Sequence, residues 1–133
     1  MKAIIYLLLV ACASVGFLIV EPISFIYVVF VKRKFTYNRL CGYLHGLAYE
    51  IDKFLNHQYR SLFGAIWIRQ DGYQFGNFDQ TISYVLGRNQ LQGSLTRFGW
   101  AVVWILDKIE KDHCIKAVNI YERRENENRT KGD

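Results

Sequence analysis

Ala3-Ile4-Ile5-Tyr6-Leu7-Leu8-Leu9-Val10-Ala11-Cys12-Ala13-Ser14-Val15-Gly16-Phe17-Leu18-Ile19-Val20 is an uncharged run. It reaches the length at which apolar residues read as a membrane-spanning helix. Glu21-Pro22 interrupts it, and residues 23–31 are apolar again up to Lys32-Arg33-Lys34. Proline lacks a backbone donor and kinks or ends helices. Two geometries follow. A span could end near Val20 with residues 23–31 lying along the interface, or one long kinked helix could carry Glu21 within the bilayer.

Lys32, Arg33, Lys34 and Arg39 outweigh Lys2 and the amino terminus, so the C-terminal side is expected to face the cytoplasm. A cleaved signal peptide would use the small residues 11–14, and Leu9-Val10-Ala11-Cys12 resembles a lipobox. The strong hydrophobicity beyond Cys12 fits an uncleaved anchor better. The expected organisation is mainly α: an N-terminal transmembrane helix with its basic flank over 1–34, a small helical domain over 35–120, and a disordered charged tail over 121–133.

The 133 residues carry a formal charge of +5. Residues 1–34 hold four basic residues against Glu21, and residues 35–133 hold thirteen basic against eleven acidic. The excess is concentrated at the anchor and no basic stripe remains, so nucleic acid is not an expected partner. Cys12, Cys41 and Cys114 form no paired spacing, which fits a reducing compartment rather than a disulfide scaffold.

Within the domain, Leu40, Leu44, Leu47, Ala48, Ile51, Phe54 and Leu55 fall at helical spacing over 38–56, with Thr36 or Asn38 as cap. Gly42 and Gly46 would permit close helix approach. Periodicity leaves 61–68 undecided between strand, buried helix and surface element. Asp71-Gly72 and Gly76-Asn77 mark turns. Asp79 is expected to cap a short helix over 80–86 with Gly87 as its stop, followed by a loop over 90–94. Thr96 would cap a helix to about residue 111, apolar on nearly every face from 98 to 106. Burial in the core is the favoured reading for that helix and for Trp100 and Trp104, with an interfacial seat as the alternative.

The polar residues give three chemical readings. Cys41 and His45 with His113-Cys114 could ligate zinc, but the spacing matches no established module, so no metal or cofactor is expected and Cys41 reads as a small core residue. His113 and Cys114 could be base and nucleophile, but adjacency supplies neither a positioned base nor an oxyanion site. Closing the last helix is the preferred role for the pair. Asp79, Gln80, Thr81 and Ser83, followed by Gly87-Arg88, form a polar cluster, and Asp52 and Asn56 form another at i, i+4. The preferred reading is that the two bond across the fold as structural elements.

These residues also carry a resemblance. Ile51-Asp52-x-Phe54-Leu55-Asn56, then Gly76-x-x-Asp79-Gln80-Thr81-Ile82-Ser83-x-x-x-Gly87-Arg88, then Ile105-Leu106-Asp107 and His113-Cys114-x-x-Ala117-Val118 resemble small uncharacterised proteins of tailed bacteriophages and prophages. Their middle motif looks like Asp-Glu-Thr-Ile-Ser followed by Gly-Lys or Gly-Arg, and their end like His-Cys-x-x-Ala-Ile. The likeness covers about residues 51–118, with a longer insertion between Asn56 and Gly76. Gln80 replaces the family's Glu, which puts in doubt an acid–base role there, and the anchor is not a family feature.

The resemblance implies a phage or prophage gene in a Gram-negative bacterium, and no known activity. The resulting expectation is a single-span protein of the bacterial inner membrane. Its role would be binding rather than enzymatic, with the bilayer and a host or phage membrane protein as partners. A membrane-tethered enzyme using Asp79, Thr81, Ser83, Arg88, His113 and Cys114 is the alternative, and a component released by cleavage near Ala13 a third.

Overall fold

A computed structural model describes residues 2–32 and 34–131; Arg33 of the basic flank and Gly132-Asp133 of the tail lie outside the described residues. Among the described residues the chain is mainly helical, with six α-helices and one isolated antiparallel bridge between Ile68 and Leu95. It divides into two compact units at Leu47–Ala48, inside the second helix and past the anchor boundary expected at 34.

The first unit is built on α1 (Lys2–Ile26), which runs through Pro22 and continues as a π-helical turn, Tyr27–Val31. The helical run is therefore continuous over Lys2–Val31, long and apolar enough to cross a membrane, and close to the N-terminus. At 1.5 Å per residue it extends about 45 Å, against about 30 Å of bilayer hydrocarbon. No residue of α1 is buried, and Val29 in the π turn is the one buried residue of the unit among those described.

The first half of α2 (Tyr37–Gln58) lies back against the end of this run. Tyr43 donates its hydroxyl proton to Glu21 Oε1 at 2.6 Å, and Ser24 Oγ lies 3.2 Å from the Tyr43 hydroxyl oxygen. The Tyr43 ring meets Phe25 edge-on at 5.5 Å, and Phe30 stacks on Phe35 at 5.3 Å. The apolar run's one carboxylate thus has a partner, as an ionisable group in an apolar setting requires. Gly42 and Gly46 are exposed, and a Cβ at either would meet nothing within 4 Å, so neither serves a close approach within the unit. Cys41 is also exposed, contrary to its expected core position. Tyr43, on the opposite side of the helix, makes the contact with α1 instead.

The second unit packs α3 (Arg60–Trp67), α4 (Ile82–Gln92), α5 (Arg97–Ile109) and α6 (His113–Thr130) with the second half of α2. The undecided segment 61–68 is α3, ending at the Ile68–Leu95 bridge, where Arg69 N donates to Ser94 O and Thr96 N to Trp67 O. The core comprises Ile68, Phe75, Tyr84, Val85, Leu86, Leu95, Val103, Cys114 and Val118. Each large aliphatic chain buried there contributes about 1.5–3 kcal/mol.

Four helix boundaries differ from expectation. The N-cap of α4 is Thr81, whose Oγ1 accepts from Tyr84 N, and not Asp79; the Asp79 N–H is taken by Asn77 Oδ1. The helix passes straight through Gly87 and stops at Gly93, in the left-handed conformation at φ 69°. Residues 90–92 are therefore helix and not loop. Gly87 is instead the point where α4 crosses α6: a Cβ would lie 2.3 Å from Cys114 O and 2.7 Å from Val118 Cγ2.

His113 and Cys114 open α6 rather than close the preceding helix. Asp112, at φ 58°, turns the chain, and Asp107 Oδ1 caps the new helix by accepting from His113 N. Residues 121–130, expected as a disordered tail, continue α6: Tyr121 is half-buried against the core, and residues 122–130 are exposed helix with a Glu125–Arg129 pair at 2.8 Å. Such i, i+4 pairs support a helix that has no apolar face to bury.

The cap of α5 is Thr96, as the sequence indicates. Its burial is not as expected. Only Gly99 and Val103 are buried, while Phe98, Trp100, Trp104, Ile105 and Ile109 are exposed. One strip of α5 suffices for the contacts with α3 and α6, and the remaining apolar faces point away from the core.

Candidate functional site

The polar residues singled out in the sequence fall into two hydrogen-bonded groups, both anchored on the last turns of α2. Asn56, fully buried, holds the loop before α4: Nδ2 donates to Asn77 O at 3.0 Å and Gln80 O at 2.6 Å, and Oδ1 accepts from Gly76 N at 3.1 Å. Gly76 takes φ 120°, a conformation that favours glycine. One turn earlier, Asp52 meets the start of α4. Its Oδ1 accepts from Ile82 N at 3.0 Å and its Oδ2 from Ser83 Oγ at 3.2 Å.

The row continues through Ser83. Its Oγ lies 3.1 Å from His113 Nε2, and His113 Nδ1 lies 2.8 Å from Glu110 Oε2. Lys116 Nζ closes the row on Glu110 Oε1 at 2.9 Å. Asp52, Ser83, His113 and Glu110 thus stand in line. Ser83 has one proton. Where it is given to an ionised Asp52, the serine oxygen accepts from Nε2, and the imidazole donates from both nitrogens, to Ser83 and to Glu110. Where the Asp52 position donates instead, the row reverses, and Nε2 accepts.

The electrostatics match this layout. Burial pushes the Asp52 carboxyl above its ordinary 3.8, opposed by the amide and hydroxyl donors of Ile82 and Ser83 and by the nearby His113. Glu110 is held down at about 2, first by the Lys116 hydrogen bond and then by His113. Burial, with the charges of Asp107 and Asp52, pushes the Cys114 thiol up to about 12. A thiol so placed is a packing group and not a ready nucleophile.

Other members of the sequence cluster stand apart. Arg88 pairs with Glu122 at 3.4 Å and lies over the Tyr73 ring at 5.3 Å. Asp79 presents its backbone carbonyl to the Tyr121 hydroxyl. Gln80 Nε2 donates to Tyr73 OH at 2.8 Å, while its Oε1 is buried without a partner. Cys41 and His45 are exposed on α2, and no group of three or more His, Cys, Asp or Glu able to hold a metal occurs among the described residues.

Ser83, His113 and Glu110 have the order of a nucleophile, base and orienting acid. Two features set them apart from a working triad. Ser83 is only 6% exposed. Two of the N–H groups that open α4 are also engaged, that of Ile82 by Asp52 and that of Tyr84 by Thr81 Oγ1. Those N–H groups would otherwise be the natural place for a developing oxyanion.

Asn89 is the principal polar residue that the sequence reading missed. Fully buried, it uses all four hydrogen-bonding positions: Nδ2 donates to Tyr73 O and Val85 O, and Oδ1 accepts from Tyr73 N and Ser94 Oγ. A Cβ at Gly72 would lie 2.5 Å from that Oδ1. An asparagine inside a helix and a glycine in the preceding turn were the available signals. No protein-family model, characterised protein or solved structure matches the chain.

Proposed function

We propose that this chain is a membrane-anchored accessory protein whose second unit is a binding module at the cytoplasmic face of a bacterial inner membrane. The observation that carries the reading is α1 with its π extension, a predominantly apolar run of thirty residues of which the membrane-length window has none buried. In water such a surface would be a severe liability; in lipid it is satisfied. Lys32, Lys34 and Arg39 follow the run, and positive flanks remain on the cytoplasmic side. The phage or prophage setting is supported by the motif pattern of residues 51–118 alone. The partners proposed are the bilayer and a host or phage membrane protein, with no nucleic acid.

Binding is preferred to catalysis because the polar row consumes its own donors and acceptors, which is the signature of a fold-specifying network. Fractionation of the tagged full-length protein, with an alkaline carbonate wash, tests the anchor: recovery in the pellet is expected, and release into the supernatant would remove it. A C-terminal reporter active only in the cytoplasm tests orientation.

The enzyme reading retains one favourable observation, the Ser83–His113–Glu110 alignment at 3.1 and 2.8 Å. Asp79 and Arg88 contribute no side chain to that row, and Cys114 is buried. Labelling of the parent protein by a fluorophosphonate, lost in Ser83→Ala, would establish an activated serine. No labelling is expected.

A further inference from the structure

The outer face of α5 is an apolar surface that the second unit does not cover. Phe98 is 70% and Ile109 79% exposed, with Trp104 and Ile105 between them at helical spacing. Trp100 on the flank is also exposed, as are Leu62 and Ile66 of α3, which packs against α5. The charges on this helix are of one sign where they are free. Arg97 and Lys108 are exposed, and the Lys108 ammonium lies 5.3 Å from the centre of the Trp104 ring. The one carboxylate of α5, Asp107, is half-buried and caps α6 through His113 N. Beyond the helix, the exposed Glu110 is paired with Lys116 and His113, and Lys111 and Asp112 offset each other. Large apolar chains, tryptophans and basic residues without an unpaired exposed acid are the chemistry of a helix seated in a headgroup layer.

We infer that the exposed face of α5 is a membrane-docking surface, resting in the interface of a bilayer that contains anionic lipid. Phe98, Ile105 and Ile109 enter the acyl boundary, the Trp104 and Trp100 indoles sit at headgroup level, and Arg97 and Lys108 reach the phosphates. This rests on the anchor reading, because an anchored domain meets the bilayer without a search through solution.

The test uses the full chain reconstituted in vesicles of mixed zwitterionic and anionic phospholipid, with bromine on the acyl chains as a contact quencher of tryptophan. Trp67, stacked on Phe63 at 4.0 Å, is the internal comparison. In Trp67→Phe, which reports Trp100 and Trp104, most of the fluorescence is expected to be quenched. In Trp100→Phe/Trp104→Phe, which reports Trp67, quenching should be several-fold weaker. As a second variant with all three indoles intact, Arg97→Glu/Lys108→Glu should lose much of the quenching seen in anionic vesicles.

Protein that fails to float with the vesicles overturns the anchor. Protein that floats while Trp100 and Trp104 stay unquenched leaves the anchor standing and overturns the docking surface. Unquenched indoles accompanied by chain-to-chain cross-linking through α5 assign the face to a second copy, against the proposal. Quenching unaffected by Arg97→Glu/Lys108→Glu overturns the anionic-lipid component.

Discussion

Helices α4 and α5 lie in the same unit, and the less apolar of the two is the one the protein buries. In α4, Ile-Ser-Tyr-Val-Leu-Gly-Arg-Asn-Gln-Leu-Gln, six of eleven residues are buried, among them Ser83, Gly87 and Asn89. In α5, Arg-Phe-Gly-Trp-Ala-Val-Val-Trp-Ile-Leu-Asp-Lys-Ile, two of thirteen are buried. Hydrophobicity is therefore not what selects the central helix here. Selection lies in where a neighbour can approach and where polar groups can be satisfied. Gly87 lets α6 come within backbone contact, and Asp52, Asn89 and Thr81 supply partners for what is thereby removed from water. Helix α2 teaches the same lesson, since its one buried residue is Asn56.

The strongest way to break this comparison is to fill the crossing. Gly87→Ala puts a Cβ against Cys114 O and Val118, both fixed, and is expected to cost about 3 kcal/mol by overpacking. Gly42→Ala and Gly46→Ala meet open space, and should instead gain up to about 1 kcal/mol from helix propensity. Denaturant unfolding of the full chain in detergent micelles measures all three. A Gly87→Ala loss below the gain at Gly42 would mean that α4 and α6 are not held at this distance.

Next in size is Asn89→Leu, which keeps the branched shape and removes four hydrogen bonds. Tyr73 N and O are then left in a buried turn, and a loss of about 2–3 kcal/mol is expected in the same assay. Were packing alone to decide the centre of the unit, this substitution would be neutral.

Much of this fold could be read in the sequence, and the failures have a common cause. The long apolar helix, the α2 periodicity and the Thr96 cap depend on local spacing, and are legible there. The sequence points to an Asp79–Gly87 helix because an aspartate followed eight residues later by a glycine obeys the local rules for cap and stop. Thr81 obeys the cap rule equally well, and Gly87 serves a contact with α6 that no local rule encodes. Likewise the row from Asp52 to Glu110 joins three helices. Asp52, Ser83 and His113 are visible in the sequence as polar outliers, but Glu110 and the order of the row are not.

A subtler probe uses that row. Asp52→Ala removes the acceptor for Ile82 N and Ser83 Oγ and should cost about 1–3 kcal/mol. Asp52→Asn can keep the amide bond and donate to Ser83, which reverses the row and makes His113 Nε2 an acceptor. Nitrogen NMR of the imidazole is expected to show one neutral tautomer in this variant, protonated at Nδ1. The pH dependence has a definite sign. Because burial raises the folded carboxyl above 3.8, its contribution is full below that value and is lost as pH rises through the folded pKa. Asp52→Asn should therefore gain on the parent protein as pH rises from about 4. Glu110 runs the other way: lowered from 4.5 to about 2, it contributes above 4.5 and is lost as pH falls toward 2. Glu110→Gln should flatten that acid limb.

The smallest expected effect is the one that sharpens the comparison most. Phe98→Ser and Ile109→Ser delete large apolar groups from α5, the kind of change that costs about 2–5 kcal/mol in a core. On the exposed face they should shift unfolding by no more than about 0.5 kcal/mol, since neither side chain supports the fold. Leu86→Ala on α4, measured beside them, should show the full core penalty. A small effect at Phe98 and Ile109 means that these residues are kept for something other than stability of the unit. A large one would mean that α5 packs in solution against a surface this arrangement leaves open, and its apolar face would then belong to the core after all.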